Sequence, residues 1–222
     1  MKSLLNNLET QTESISPGTY CNADVLIRNK QKILLVRDNL TSFTQTKLIQ
    51  SEQKEDLQSG LLMLIYPLKT QLPTIIRVNP HPSFQALNGD KILKEHKISL
   101  EIGDEKNVTK NSVAEKGIQE LEEELKKINS ETINEIELMK ATHGQIRHTH
   151  RSARELLMKR DQYTGENLMV DDKEVASKQK QRREKENEQK LKMSTKKDVE
   201  EYSKGDLVFV ISDKNKQKTR DT

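Results

Sequence analysis

The sequence predicts a mixed α/β domain followed by a charged extension. Three observations lead there. Three short strand-like runs follow one another with brief links between Tyr20 and Ile49. Two further strand-like runs then alternate with helical patterns. The apolar residues that could build a core lie between Tyr20 and Ile128 and thin out after Ile146. Strands first paired as hairpins and then alternating with helices give a sheet with helices packed on it. The 222 residues suffice for one domain of ordinary size and an appendage.

The first 16 residues are polar, and Pro17-Gly18 breaks the chain. TYCNADVLI (19–27) alternates in part, KILLVRD (32–38) is a continuous apolar run suited to a central strand, and FTQTKLI (43–49) alternates as a strand with one wet face does. The short links predict antiparallel hairpins. From Ser51 a helix is expected, with Leu57, Leu61, Leu64, Ile65 and Leu68 on one face and Pro67 closing it. TIIRV (74–78) reads as a buried strand, SFQALNGDKILKEH (83–96) as a helix interrupted at Asn88-Gly89, and KISLEI (97–102) as another strand. After a polar loop, Ser112 opens a helix whose apolar stripe is Ala114, Ile118, Leu121, Leu125 and Ile128. Ser112 and Glu115 have the S-x-x-E spacing of a capping box. Helices are expected over 131–146 and 152–160. Residues 173–201 are nearly all charged or amide-bearing and fit either an exposed helix or disorder, and GDLVFVI (205–211) reads as a new strand.

Composition excludes several classes. One cysteine, Cys21, allows no disulfide framework within the chain and no Cys-rich zinc module. No run approaches the length of a membrane span, and the start lacks the apolar stretch of a secretory signal. A nuclear or cytoplasmic setting is expected. The net charge of +3 says little, but Lys and Arg outnumber Asp and Glu between Lys178 and Arg220. Such a tail is either a solvated linker or a segment that neutralises phosphates.

Three residues stand out together. Asp24 lies inside the first strand, in NADVL; Asn79 lies just past the fourth, in RVNPHPSF; Glu115 lies in the first turn of the helix in NSVAEKGIQELEEELKKI. Taken singly, Asp24 is a strand or turn acid, Asn79 a loop residue and Glu115 a capping residue. Their joint placement on this order of elements resembles the ribonuclease-H-like catalytic core of retroviral-type integrases. The wording of NADVLIRNKQKILLVRD, RVNPHPSFQAL and KNSVAEKGIQELEEEL is most similar to gypsy- or Pao-type long-terminal-repeat retrotransposons.

The resemblance implies a core over 17–165, a charged linker over 166–203 and, from 204 to 222, the start of a truncated β-barrel. It also implies a catalytic and metal-binding set of Asp24, position 79 and Glu115 holding Mg²⁺ or Mn²⁺, DNA as partner, self-association, and DNA end processing with strand transfer. The physical basis is in-line displacement at phosphorus between two dications held by carboxylates. This chain departs from the pattern in one place. Where the family carries its second Asp it has Asn79, a neutral amide, so impaired catalysis is expected. Candidate DNA contacts are Lys116, Gln119, Lys126, Lys127, Arg147 and Arg151. Gln119 and Glu122 stand where relatives often carry lysines, which weakens that helix face as a DNA contact. His143, His148 and His150 near Arg147 and Arg151 read as an exposed polar or phosphate-contacting segment rather than a metal site. Two rival readings remain: a non-catalytic nucleic-acid-binding or scaffold protein derived from such a core, and a helical adaptor working through the charged segment.

Overall fold

Hairpin chemistry sets the first half of the sheet. Strand β1 (Tyr20–Arg28) runs antiparallel to β2 (Gln31–Asp38), and Arg28 pairs with Gln31. The two residues between them, Asn29 and Lys30, both have positive φ, 47° and 65°. That is the type I′ turn whose twist matches the strands it joins. Strand β3 (Thr44–Ile49) pairs antiparallel with β2. Between them Asp38 accepts hydrogen bonds from the Thr41 N–H (2.7 Å), the Thr41 hydroxyl (2.7 Å) and the Gly18 N–H (2.8 Å). Asp38 is thus a turn acid. Burial holds its carboxyl above the usual range despite these donors.

Helix α1 (Lys54–Ile65) and a 3-10 turn (Tyr66–Leu68) cross over to β4 (Thr74–Val78), which lies parallel to β1 on its other side. The helix starts three residues later than the sequence suggests. The Ser51 N–H and hydroxyl are both engaged by the Asp56 carboxylate, at 2.9 and 2.6 Å, so Ser51 anchors the approach to the helix instead of opening it. Two short helices follow, α2 (Pro82–Gln85) and α3 (Lys91–Glu95), separated at Asn88-Gly89 as the sequence indicates. Strand β5 (Ile98–Ile102) then pairs parallel with β4. The result is a five-stranded mixed sheet in the order β3-β2-β1-β4-β5.

The amphipathic α4 (Ser112–Ile128), then α5 (Glu135–His143) and α6 (Ala153–Met158), complete this part of the chain. The computed structural model describes residues 16–68, 70–103, 111–128, 132–143, 151–195, 208–212 and 215–219.

Strand periodicity distributes the core over both faces of the sheet. On one face Cys21, Ala23, Leu34, Val36, Ile76 and Val78 pack against Leu57, Leu61, Leu64 and Ile65 of α1. The thiol of Cys21 is fully buried, and burial with the nearby Asp38 charge raises its pKa well above that of a free thiol. On the other face Leu26, Ile33 and Leu35 meet Ala114, Leu121 and Leu125 of α4 together with Leu138 and Ala141 of α5. Helix α4 approaches closely at Gly117, where a Cβ would come within 3.2 Å of Leu35 and Arg37 side-chain atoms. This second face also carries a polar row. Thr44, Arg37, Asn22, Arg77 and Glu101 stand side by side on successive strands.

The chain divides into two units at Gln179–Lys180. In the second, β6 (Val208–Ser212) pairs antiparallel with β7 (Asn215–Thr219) as a two-stranded hairpin; of the strand expected over 205–211, residues 205–207 lie outside the described residues. Helix α7 (Asp172–Thr195) occupies most of the charged segment, and residues 196–201 lie outside the described residues. Among the described residues no helix is long and apolar enough to cross a membrane.

Candidate functional site

The site lies where the parallel pairing of β1 and β4 ends. The last paired residues are Ala23 and Val78, so Asp24 and Asn79 occupy the next step beyond the ladder. The carboxyl ends of parallel strands are where open α/β sheets place ligands. Asp24 shares a sheet face with Asn22 and Leu26, the face that α4 covers. Asn79 Nδ2 donates to Asp24 Oδ2 at 2.9 Å, and the Val25 N–H donates to Asp24 Oδ1 at 2.9 Å.

Burial raises the Asp24 pKa above the usual carboxylate value, and the negative charges of Glu115 and Glu52 raise it further. The Val25 N–H and His81 act in the opposite direction. The structure therefore puts Asp24 of β1 and Asn79 at the end of β4 in direct contact, with Glu115 in the first turn of α4 near enough for its charge to act on Asp24.

Two residues at this place have no signal in the sequence. Glu52, in the link between β3 and α1, lies 3.4 Å from Lys32 Nζ and 3.8 Å from His81 Nδ1. Asn111 is only 1 % exposed; its Nδ2 donates to the Ala23 carbonyl at 2.9 Å, and its backbone carbonyl accepts from the Glu115 N–H at 3.0 Å. Helix α4 begins at Ser112, so Asn111, and not Ser112, stands at the boundary residue before the first turn. The S-x-x-E spacing came within one residue of it. A capping box with both reciprocal hydrogen bonds is found instead at Ser152 and Glu155 on α6.

The other candidates are spread out. Gln119 is exposed one turn beyond Glu115, and Lys116 is half-buried beside it. Lys126 and Lys127 are exposed in the last turn, about 17 Å along the helix axis from Glu115 at 1.5 Å per residue. Lys127 pairs with Glu124 at 2.7 Å. Arg151 Nη1 donates to the Met169 carbonyl at 3.4 Å. Arg147, His148 and His150 lie outside the described residues. His143 stacks on Phe43 with ring centroids 5.4 Å apart, and burial, with the Arg154 charge, lowers its pKa.

The two-metal group implied by the resemblance does not fit this arrangement. Among the described residues no three His, Cys, Asp or Glu side chains are placed to hold a metal ion. Position 79 adds no acid to the set, and its amide is engaged as a donor. Asn79 turns an N–H toward Asp24 Oδ2, and a hydrogen-bond donor cannot serve as an oxygen ligand. Turning the amide over would set its oxygen against the Asp24 carboxylate, a repulsive contact.

The strand order, strand directions and covering helices are those of a retroviral integrase catalytic core, and this is the fold of the chain. It is similar to the catalytic core domain of BIV integrase, with a TM-score of 0.54 and 16% identity over 64% of this chain and 95% of that one. It is also similar to a chain of the simian T-cell lymphotropic virus intasome, with a TM-score of 0.58 and 14% identity over 71% of this chain and 60% of that one. No protein-family model matches the sequence. No curated protein matches it either.

Proposed function

We propose that this chain is an integrase-derived domain of a gypsy- or Pao-like retrotransposon, with the core over 17–165, in which metal-dependent strand transfer is impaired and DNA remains the partner. The observation that carries this reading is the hydrogen bond from Asn79 Nδ2 to Asp24 Oδ2, at the position where the integrase pattern requires a second acid. Two-metal catalysis needs carboxylates to offset four positive charges. Replacing one carboxylate by an amide removes a unit of negative charge and substitutes a proton donor. The fold supports DNA as partner and self-association as the working state. The exposed Lys126 and Lys127 and the basic helix α7 supply the charge that phosphates attract.

The test uses a fluorescent DNA duplex with two readouts. Fluorescence anisotropy should show binding that weakens steeply as salt rises. A strand-transfer assay in Mn²⁺ should show no joining by the natural chain. Efficient joining would establish an active enzyme and overturn the impairment. Absence of DNA binding at low salt would overturn the nucleic-acid reading and favour the helical adaptor.

A further inference from the structure

We propose that the side-chain amides of Asn79 and Asn111 replace metal coordination as the cross-link of this site, so that β1, β4 and α4 are joined without a bound ion. The proposal rests on the reading of position 79 as an altered metal ligand and adds a role for Asn111. Two amides, from two different elements, donate to consecutive residues of β1. Asn111 Nδ2 bonds the Ala23 carbonyl at 2.9 Å, and Asn79 Nδ2 bonds the Asp24 carboxylate at 2.9 Å. Asn79 follows β4, while Asn111 leads into α4 and accepts the Glu115 N–H through its backbone carbonyl. The three elements that an ion would join through three carboxylates are therefore joined through two amides.

The hydrogen bonding of Asn111 favours a positioning role for its side chain over a stabilising one. A backbone carbonyl only accepts, so the amide must turn its nitrogen toward Ala23, and the orientation is fixed. Its Oδ1 is then buried with no hydrogen-bond partner among the described residues. A stranded buried acceptor costs about as much as one ordinary hydrogen bond returns, or more. Charge supports the same account for Asn79. Glu115 and Glu52 already act repulsively on Asp24. A third acid bonded against Asp24 would add to that repulsion unless a cation or proton lay between, whereas the amide donates to Asp24 and carries no charge. Asn79 and Asn111 are positioning residues in this scheme.

Thermal melting of the full chain, in chelator and in millimolar Mn²⁺, tests the proposal. The natural chain should melt at the same temperature in both. Asn79→Asp should melt lower in chelator and recover with Mn²⁺, a metal dependence that a merely structural residue would not create. Asn79→Ala, which removes the donor without adding charge, should melt lower in both and gain nothing from Mn²⁺; it decides the matter if Asn79→Asp fails to fold. Asn111→Ala should leave the melting temperature nearly unchanged while amide exchange in the first turn of α4 rises about fivefold to tenfold, the effect of one lost hydrogen bond. Stabilisation of the natural chain by Mn²⁺, an Asn79→Ala variant as stable as the natural chain, or unchanged exchange in Asn111→Ala would each overturn the proposal. These results do not depend on DNA, so failure to bind the duplex would remove the functional reading and leave this one standing.

Discussion

Arg37 of β2 forks onto Glu120 of α4, with Nη1 at 2.7 Å from Oε2 and Nη2 at 3.4 Å from Oε1, and the guanidinium is 2 % exposed. Its other described partner is the Thr44 hydroxyl at 3.1 Å. Glu120 sits five residues beyond Glu115, so this ion pair fixes the helix that carries the candidate acid. Removing Glu120, itself partly exposed, strands the buried Arg37 guanidinium. Glu120→Ala should therefore destabilise the core by about 3 kcal/mol. The combination Arg37→Met with Glu120→Leu should recover most of that loss, because no charge is left to desolvate. Urea unfolding of the three proteins measures both effects. A loss below about 1 kcal/mol for Glu120→Ala would show that water reaches Arg37.

Gly18 makes a sharper prediction because two constraints coincide. Its φ is +74°, and a Cβ there would lie 1.9 Å from the Leu68 carbonyl oxygen. The surrounding contacts leave no slack, since its N–H bonds Asp38 and its carbonyl accepts the Thr74 hydroxyl at 2.9 Å. Gly18→Ala carries the left-handed penalty of about 1–2 kcal/mol and a backbone clash in addition. The expected outcome is a loss of about 3 kcal/mol or more, read as a lowered midpoint in urea with an unchanged slope. A variant within about 0.5 kcal/mol of the natural chain would contradict the packing of Pro17-Gly18 under Leu68.

Asp90 governs part of the acid limb of stability. Its pKa is lowered to about 2, first by the hydrogen bond from Lys54 and then by the Leu93 N–H and Gln58. Lys54 Nζ lies 2.8 Å from Oδ2, and Gln58 Nε2 donates to Oδ1 at 2.6 Å, so the carboxylate ties α1 to the start of α3. A depressed folded pKa adds stability above the ordinary carboxylate value, and that contribution is lost as pH falls toward about 2. Asp90→Asn keeps an N-cap acceptor but loses the charge. It should be less stable than the natural chain at pH 7 and equal to it near pH 2. Melting curves across that range test the sign. A deficit that persists at the acid end would mean the ion pair is not its source.

The parts of the fold that were legible are those set by neighbours in sequence. The run from Ile33 to Val36 is apolar without alternation because α1 covers Leu34 and Val36 while α4 covers Ile33 and Leu35. The Leu57, Leu61, Leu64 and Ile65 stripe follows from helical spacing alone. Asp24 and Asn79 could be placed on elements, but their hydrogen bond joins residues 55 apart, and no local pattern encodes it. Asn111 and Glu52 were illegible for the same reason: each gains its meaning from a partner distant in the chain. The spacing of Ser112 and Glu115 satisfied a rule that the backbone uses at Ser152 and Glu155 instead. Ser51 has the identity of a helix-opening residue, yet Asp56 captures it before the first turn.

The seclusion of Cys21 has a practical consequence for labelling. The sequence contains no other cysteine. Its thiol is both buried against α1 and held protonated at neutral pH, so thiol-directed dyes should leave the natural chain unmodified. A cysteine introduced on an exposed face, as in Gln119→Cys, would then be the sole conjugation point. A fluorophore or spin label attached there reports from one turn beyond Glu115 without any background sites to remove first.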